Sequence, residues 1–293
     1  MIKKAMLGAL AALSIGCYNA SPAEEEAVTC KRIDAAAAVE ERQENPAEEH
    51  NNDDIERFFA QCHDGRYDFD TRCTDLSQGY LDNITNSVYI IERIGRFKQS
   101  GRQEELKSKC ASVLLDNGIV LTAKHCARFR KLDILGIKYD MEINLMHGGK
   151  RYPLEILVEG ATDFAVLEMK KPAELPFLPY ALGDTSTLEA GNITYMTGYV
   201  DREYSMIREG IVTRMEHNDQ GWGEGYFLIS NGIHFGDSGG ATIGFRDGVP
   251  ELIGINCYKH EEHDHAGGVL RIDMIRNEIL ARYIFAAQIT LRP

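Results

Sequence analysis

The sequence predicts an all-β protein, and three observations carry that prediction. From about Thr85 onward the chain breaks into short β-rich runs, SVYIIERI, SVLLDNGIVLTA, LDILGIKY, FAVLEM, NITYMTGYV, EGYFLIS and ELIGINCY, separated by glycine-bearing or polar turns. Helical periodicity is almost absent until the end. With 293 residues and 44% hydrophobic composition, the chain is long enough to bury a sizeable core as one large domain or two small ones. Many short strands at this spacing indicate a barrel or a sandwich.

The exception is the C-terminal segment. From Ile272 to Ile284 the apolar residues Ile272, Ile275, Ile279, Leu280 and Tyr283 recur at helical spacing with Arg276, Asn277 and Arg282 between them, which predicts one amphipathic helix.

The N-terminus reads differently. Two lysines precede a twelve-residue apolar run from Ala5 to Gly16, too short to span a bilayer and of the kind that directs export. A signal peptide is therefore expected over residues 1–20, with a lipoprotein signal ending before Cys17 as the alternative, and the mature protein is expected to be secreted or periplasmic. Between Glu24 and Asp54 eleven acidic residues stand against Lys31, Arg32 and Arg42. So polar a stretch cannot build a core, and residues 21–72 are expected to be an acidic leader or pro-segment preceding a folded domain at 73–293.

Charge and cysteines narrow the class. A net charge of −13 argues against nucleic acid or an anionic membrane as partner. Seven cysteines become six once Cys17 is set aside, and an even count in an oxidising compartment favours disulfides over metal thiolates, the more so as no CxxC pair occurs. No cofactor is expected. His260, His263 and His265 with Glu261, Glu262 and Asp264 form a polar loop lacking a second distant ligand group, so no metal site is expected there either.

Covalent hydrolysis of an amide needs a hydroxyl nucleophile, an imidazole to take and return its proton, and a carboxylate to fix the imidazole tautomer. GIVLTAKHC ends a strand-like run with His125, TDFAVLEM places Asp163 at the start of another, and FGDSGGA sets Ser238 among small residues. Their order, and Ser238 within GDSGG, resembles the chymotrypsin and trypsin superfamily of serine endopeptidases. The resemblance runs from about Ser87 to Ile284 and implies two six-stranded antiparallel β-barrels with a C-terminal α-helix. It also implies that Ser238 is the nucleophile, His125 the general base and acid, Asp163 the orienting carboxylate, and the amides of Gly236 and Ser238 the oxyanion hole. A disulfide from Cys110 to Cys126 would staple the histidine loop. DNGIVLTAKH, FAVLEM and REGIVTRM also resemble the periplasmic high-temperature-requirement (HtrA) proteases. Asp237, where those carry Asn, and the lack of an extra peptide-binding domain set the chain nearer the trypsin side.

The same resemblance places Gly232 at the base of the primary specificity pocket, Gly268 on its opposite wall, and Cys257, Tyr258 and Lys259 along the strand that pairs with substrate. With no carboxylate at the base, a neutral residue before the scissile bond is expected, because a buried unpaired lysine or arginine is costly. Cys257 stands where the family usually has a serine hydrogen-bonded to the orienting carboxylate. Asp237 occupies the activation pocket and needs a cation. In trypsin-like relatives that cation is the new α-ammonium group left by removal of a pro-segment, and in some bacterial relatives it is an internal arginine, which the sequence does not single out. The expectation is a zymogen, cut near Arg72 and Cys73 or, in another register, near Arg93 and Ile94. Protein or peptide substrates and a monomeric state complete the sequence reading; the competing function is a catalytically idle homologue that binds protein.

Overall fold

Tight two-residue turns organise the strands into hairpins. Ser100–Gly101, Gly148–Gly149 and Asp247–Gly248 all have positive φ at both positions, the geometry whose twist matches paired strands and which glycine and aspartate tolerate best. These turns join β1 (Val88–Gln99) to β2 (Arg102–Leu114), β4 (Tyr139–His147) to β5 (Lys150–Glu159), and β11 (Ala241–Arg246) to β12 (Val249–Lys259). The structure is a computed structural model and describes residues 56–58, 60, 62–74, 78–115, 118–171, 173–200, 204–219, 223–259 and 266–280.

The chain divides into units 1–64 and 65–293. Within the second, β3 (Ile119–Thr122) and β6 (Ala165–Met169) complete a closed six-stranded barrel in the order β1-β2-β3-β6-β5-β4. After the short β7 (Ala181–Leu182), β8 (Ile193–Val200), β9 (Tyr204–Asp219), β10 (Gly223–Ile229) and β13 (Gly267–Arg271) join β11 and β12. The order β8-β9-β10-β13-β12-β11 closes back on β8 through β11, and β7 is added parallel to β12. Two six-stranded antiparallel barrels thus form, as the sequence reading expects, and a helix over 272–280 follows with Ile272 and Ile275 buried.

Helix α1 (Gln78–Asn86) leads into β1; α2 (Lys124–Ala127) and α3 (Arg130–Ile134) are single turns after β3. Here the structure corrects the sequence. LDILGIKY reads as a strand, but its first residues belong to α3: Phe129 and Leu132, three apart, are buried, while Ile134 and Leu135 are 75% and 62% exposed. The burial period is helical there, and the next strand starts only at Tyr139.

The N-terminal edge of the folded unit also differs from the expected start at residue 73. Tyr67 is fully buried, its hydroxyl donates to Glu251 (2.7 Å), and the Arg246 guanidinium lies over its ring. Asp68 is hydrogen-bonded through its backbone to Phe245 and Ile193. Aromatic burial therefore draws the end of the supposed leader into the second barrel. The expected signal segment and most of the leader, with Cys17 and Cys30, lie outside the described residues, as does the polar loop 260–265.

Candidate active site

Strand β3 delivers His125 on the single turn α2. That turn is too short to hold itself, and neighbours fix it. Cys126 is disulfide-bonded to Cys110 on β2, as the resemblance implies, with Cα atoms 5.8 Å apart. Arg93 of β1 donates through Nη1 to the carbonyls of both His125 and Arg128, and its guanidinium stacks 4.5 Å from the centre of the Phe129 ring. Gly95 makes room for that ring, since a Cβ there would fall 2.7 Å from it. Sulfurs 110 and 126 and the His125 ring lie within 4.8 Å of one another, but both sulfurs are spent in the disulfide, so the grouping offers no thiolate to a metal.

Asp163 enters from the loop between β5 and β6. One carboxylate oxygen, Oδ2, is 2.7 Å from His125 Nδ1, and Oδ1 accepts from the His125 backbone N–H at 2.9 Å. A single carboxylate thus holds both the ring and the backbone of one residue. Its side chain is 10% exposed and that of His125 27%, so the pair is sheltered while the ring keeps access to solvent. Cys257 is buried beside it, with Sγ 3.7 Å from the Asp163 carbonyl oxygen. Burial, and then the Asp163 charge, push its thiol pKa well up, so it is a neutral thiol here.

Ser238 sits in a turn made possible by its glycines. Gly236 has φ 103°, and a Cβ on Gly239 would fall 2.2 Å from both the Ala111 carbonyl and Thr122 Oγ1. The close approach is used: Ala111 N–H donates to the Ser238 carbonyl (2.9 Å) and Gly239 N–H to that of Asn256 (2.7 Å). The turn is therefore tied to β2 of one barrel and β12 of the other, at the seam to which His125 and Asp163 also belong. The Ser238 hydroxyl donates to the Cys257 carbonyl at 3.2 Å. Among the described residues, no backbone acceptor takes the amide of Gly236 or of Ser238.

Asp237 points away from the seam into the second barrel and has no exposed surface. Its Oδ2 accepts from Arg208 Nη2 and from the backbone N–H of His234 (2.8 Å). Gly198 accommodates it, because a Cβ there would lie 2.5 Å from Oδ1. Arg208 is the cation that the sequence does not reveal, and it removes the premise on which a zymogen is expected. The alternative cut at Arg93 and Ile94 falls inside β1, where both residues are paired to β2 and β4 and Ile94 is buried.

Around the expected specificity pocket, Gly232 is buried with φ 64°. Tyr258 pairs with Gly268 and Lys259 with Gly267 across β12 and β13. A Cβ on Gly268 would meet the Tyr258 ring at 2.2 Å, and one on Gly267 would meet Ile233 at 2.5 Å. Ile233 and Tyr258 give this region apolar walls; Lys259 is exposed beyond them.

A pair of six-stranded antiparallel barrels defines the chymotrypsin-like fold, and here a serine, a histidine and an aspartate lie near the seam. Residues 110–255 match the family described as trypsin-like peptidase domain. The chain is 26% identical over 184 residues to the mitochondrial serine protease HTRA2 of Bos taurus, covering 61% of this chain and 37% of that protein. It thus spans just over a third of the length of this relative. The HtrA-type protease AlgW with a decapeptide has a TM-score of 0.52 at 16% identity, over 69% of this chain and 67% of that one. A variant of the same protease with a tripeptide gives 0.51 at 17%, over 69% and 62%. These similarities are to HtrA-type proteases, which the sequence reading sets behind the trypsin side.

Proposed function

We propose that the protein is a serine endopeptidase, working outside the cytoplasm, that cleaves peptide bonds through an acyl-enzyme formed on Ser238. The observation that carries this reading is the doubly anchored His125, whose Nδ1 and backbone N–H both meet the Asp163 carboxylate. That arrangement leaves the proton on Nδ1 and the lone pair on Nε2, the tautomer a general base requires.

In this reading the Ser238 hydroxyl leaves the Cys257 carbonyl by rotation about its side-chain bond, and His125 Nε2 takes its proton as Oγ attacks the substrate carbonyl carbon. Catalytic hydrogen bonds commonly align only once substrate is present. The amides of Gly236 and Ser238 receive the oxyanion, each donor contributing about 3 kcal/mol to the transition state. His125 then gives its proton to the leaving amine as the C–N bond breaks. Water, deprotonated by the same nitrogen, hydrolyses the ester and restores Ser238. Asp163 stays ionised throughout and stabilises the imidazolium.

Peptide substrates suit a site whose His125 ring is partly exposed, and the structural neighbour AlgW is solved with bound peptides. A neutral residue before the scissile bond fits the uncharged Gly232 and the apolar Ile233 and Tyr258. The test is labelling of the purified protein by a fluorophosphonate probe. Labelling of the wild type that is lost in Ser238→Ala supports the reading; a wild type that is not labelled overturns it.

A further inference from the structure

The turn that carries His125 and the loop that carries Asp163 are fastened to each other by more than the pair itself. Lys124, the residue before His125, donates from Nζ to the carbonyls of Gly160 (2.6 Å) and Ala161 (3.1 Å). From the C-terminal helix, Glu278 accepts from the Ala161 backbone N–H (2.6 Å) through one carboxylate oxygen and from the Thr162 hydroxyl (3.5 Å) through the other. One ammonium and one carboxylate thus grip three consecutive residues immediately before Asp163, the ammonium through two backbone carbonyls and the carboxylate through a backbone N–H and a side-chain hydroxyl.

The gripped segment transmits position because it is tight. Gly160 N–H donates to the Phe164 carbonyl (2.8 Å) and Phe164 N–H to that of Thr162 (3.0 Å), so Asp163 lies within a closed turn. A Cβ on Gly160 would fall 2.3 Å from the buried Phe164 ring, which leaves no room for the turn to slide. Both oxygens of Asp163 are committed to His125, at the ring and at the backbone, and a shift of the loop lengthens both bonds together.

We propose that Lys124 and Glu278 are positioning residues that clamp the 160–162 segment from two sides and so set the Asp163 carboxylate against His125. The proposal rests on the reading of His125 and Asp163 as the hydrolytic pair. It gives the C-terminal helix, which follows the second barrel in the chain, a hold on the aspartate loop of the first. Misplacement of a catalytic group by about 1 Å costs on the order of a hundredfold in rate, and partial loosening should cost less.

The experiment compares the full chain with its Lys124→Met, Lys124→Arg, Glu278→Ala and Lys124→Met/Glu278→Ala variants. Three quantities are read: the fluorophosphonate labelling rate, kcat and KM on a peptide ester, and the low-field proton resonance of the His125 Nδ1–H. Lys124→Met and Glu278→Ala should each lower kcat about tenfold with KM little changed, and should shift or broaden the resonance. Acting through one segment, the double variant should lose far less than the product of the two single losses. Lys124→Arg, which keeps a donor, should recover most of the rate. Unchanged kcat and an unmoved resonance in both folded single variants would overturn the proposal, as would fully multiplicative losses with the resonance unmoved. If Lys124→Met does not fold, Lys124→Gln takes its place. A wild type inert to the probe would count against the hydrolytic reading instead, and the resonance would still decide the clamp.

Discussion

Arg208 reaches from β9 to close an ion pair on Asp237, a carboxylate with no exposed surface one residue from Ser238. The turn bearing Gly236 and Ser238 can be ordered only if that buried charge is met, and the cation is already in the folded chain. Removing one partner of a buried pair costs about 3–5 kcal/mol, and here the loss falls on the turn that would bind the oxyanion. Arg208→Met should therefore lower kcat/KM by at least about a hundredfold. Arg208→Met/Asp237→Asn, which removes the stranded charge, should regain part of it. Equal activities of wild type and Arg208→Met would show that Asp237 is satisfied in another way.

The same pair bears on activation. If Arg208 satisfies Asp237, the oxyanion turn needs no new N-terminus, and the protein should be active with its acidic leader attached. N-terminal sequencing of probe-labelled protein checks this. Labelled material that begins only at a cut between residues 65 and 88 would restore the zymogen.

Ser238→Ala and His125→Ala should each reduce turnover by about five to six orders of magnitude. Asp163→Asn should cost about four, because an amide favours the wrong imidazole tautomer. All three should keep their thermal transition within a few degrees of the wild type, since none of these side chains fills the core. Hydrolysis that persists in a purified, folded Ser238→Ala protein would mean the nucleophile lies elsewhere.

What the sequence made legible follows from how locally each feature is encoded. The Asp247–Gly248 and Gly148–Gly149 pairs announce hairpins because backbone sterics alone confine such φ values to few residues. GDSGG is legible for the same reason, its glycines answering to positive φ and to contacts that a Cβ would break. Arg208 was not legible. It is one of 32 basic residues, and only the register of β9 against β8, which sets Arg208 opposite Met196, aims it at Asp237. Lys124, Arg93 and Glu278 were hidden likewise, because each acts on backbone carbonyls or amides that no side-chain pattern reveals. Tyr67 was hidden by composition: a lone aromatic after an acidic stretch does not read as core until its partners Glu251 and Arg246 are brought to it.

The proposed place of the uncharged Gly232 at the base of the specificity pocket gives a prediction about specificity. A peptide library should show cleavage after neutral, mainly apolar residues. Gly232→Asp should shift the preference toward lysine and arginine by supplying a buried partner for their charge. Gly232 has φ 64°, a conformation that aspartate tolerates better than most residues, so the variant is expected to fold with a modest loss of stability. A wild-type profile dominated by arginine or lysine would show that Gly232 does not govern selection.

The last prediction concerns Cys257 and alkaline pH. Its folded pKa is raised well above 9.0, first by burial and then by the Asp163 charge. In the unfolded chain the thiol ionises near pH 8.5. A group whose folded pKa is raised contributes stability that is fully present below the unfolded pKa and lost as pH climbs toward the folded one, because only the unfolded state releases the proton. Wild-type stability should therefore start to fall above about pH 8.5, by up to roughly 1.4 kcal/mol per pH unit from this one group. Tyr226, raised by burial and by the neighbouring Cys257 and Asp163, and Tyr67, Tyr89, Tyr139, Tyr180, Tyr195 and Tyr199, raised first by burial, add to the decline as pH nears their ordinary value of 10.0. The difference between the wild type and a Cys257 variant from pH 8.5 to 10 thus isolates the thiol. Cys257→Ser, which places a non-ionising hydroxyl at the same buried position, should flatten the curve in that interval and leave the later tyrosine-driven fall intact. Urea unfolding of both proteins at pH 7.5, 8.5, 9.5 and 10.5 makes the comparison, and parallel curves between pH 8.5 and 10 would rule the thiol out as the cause.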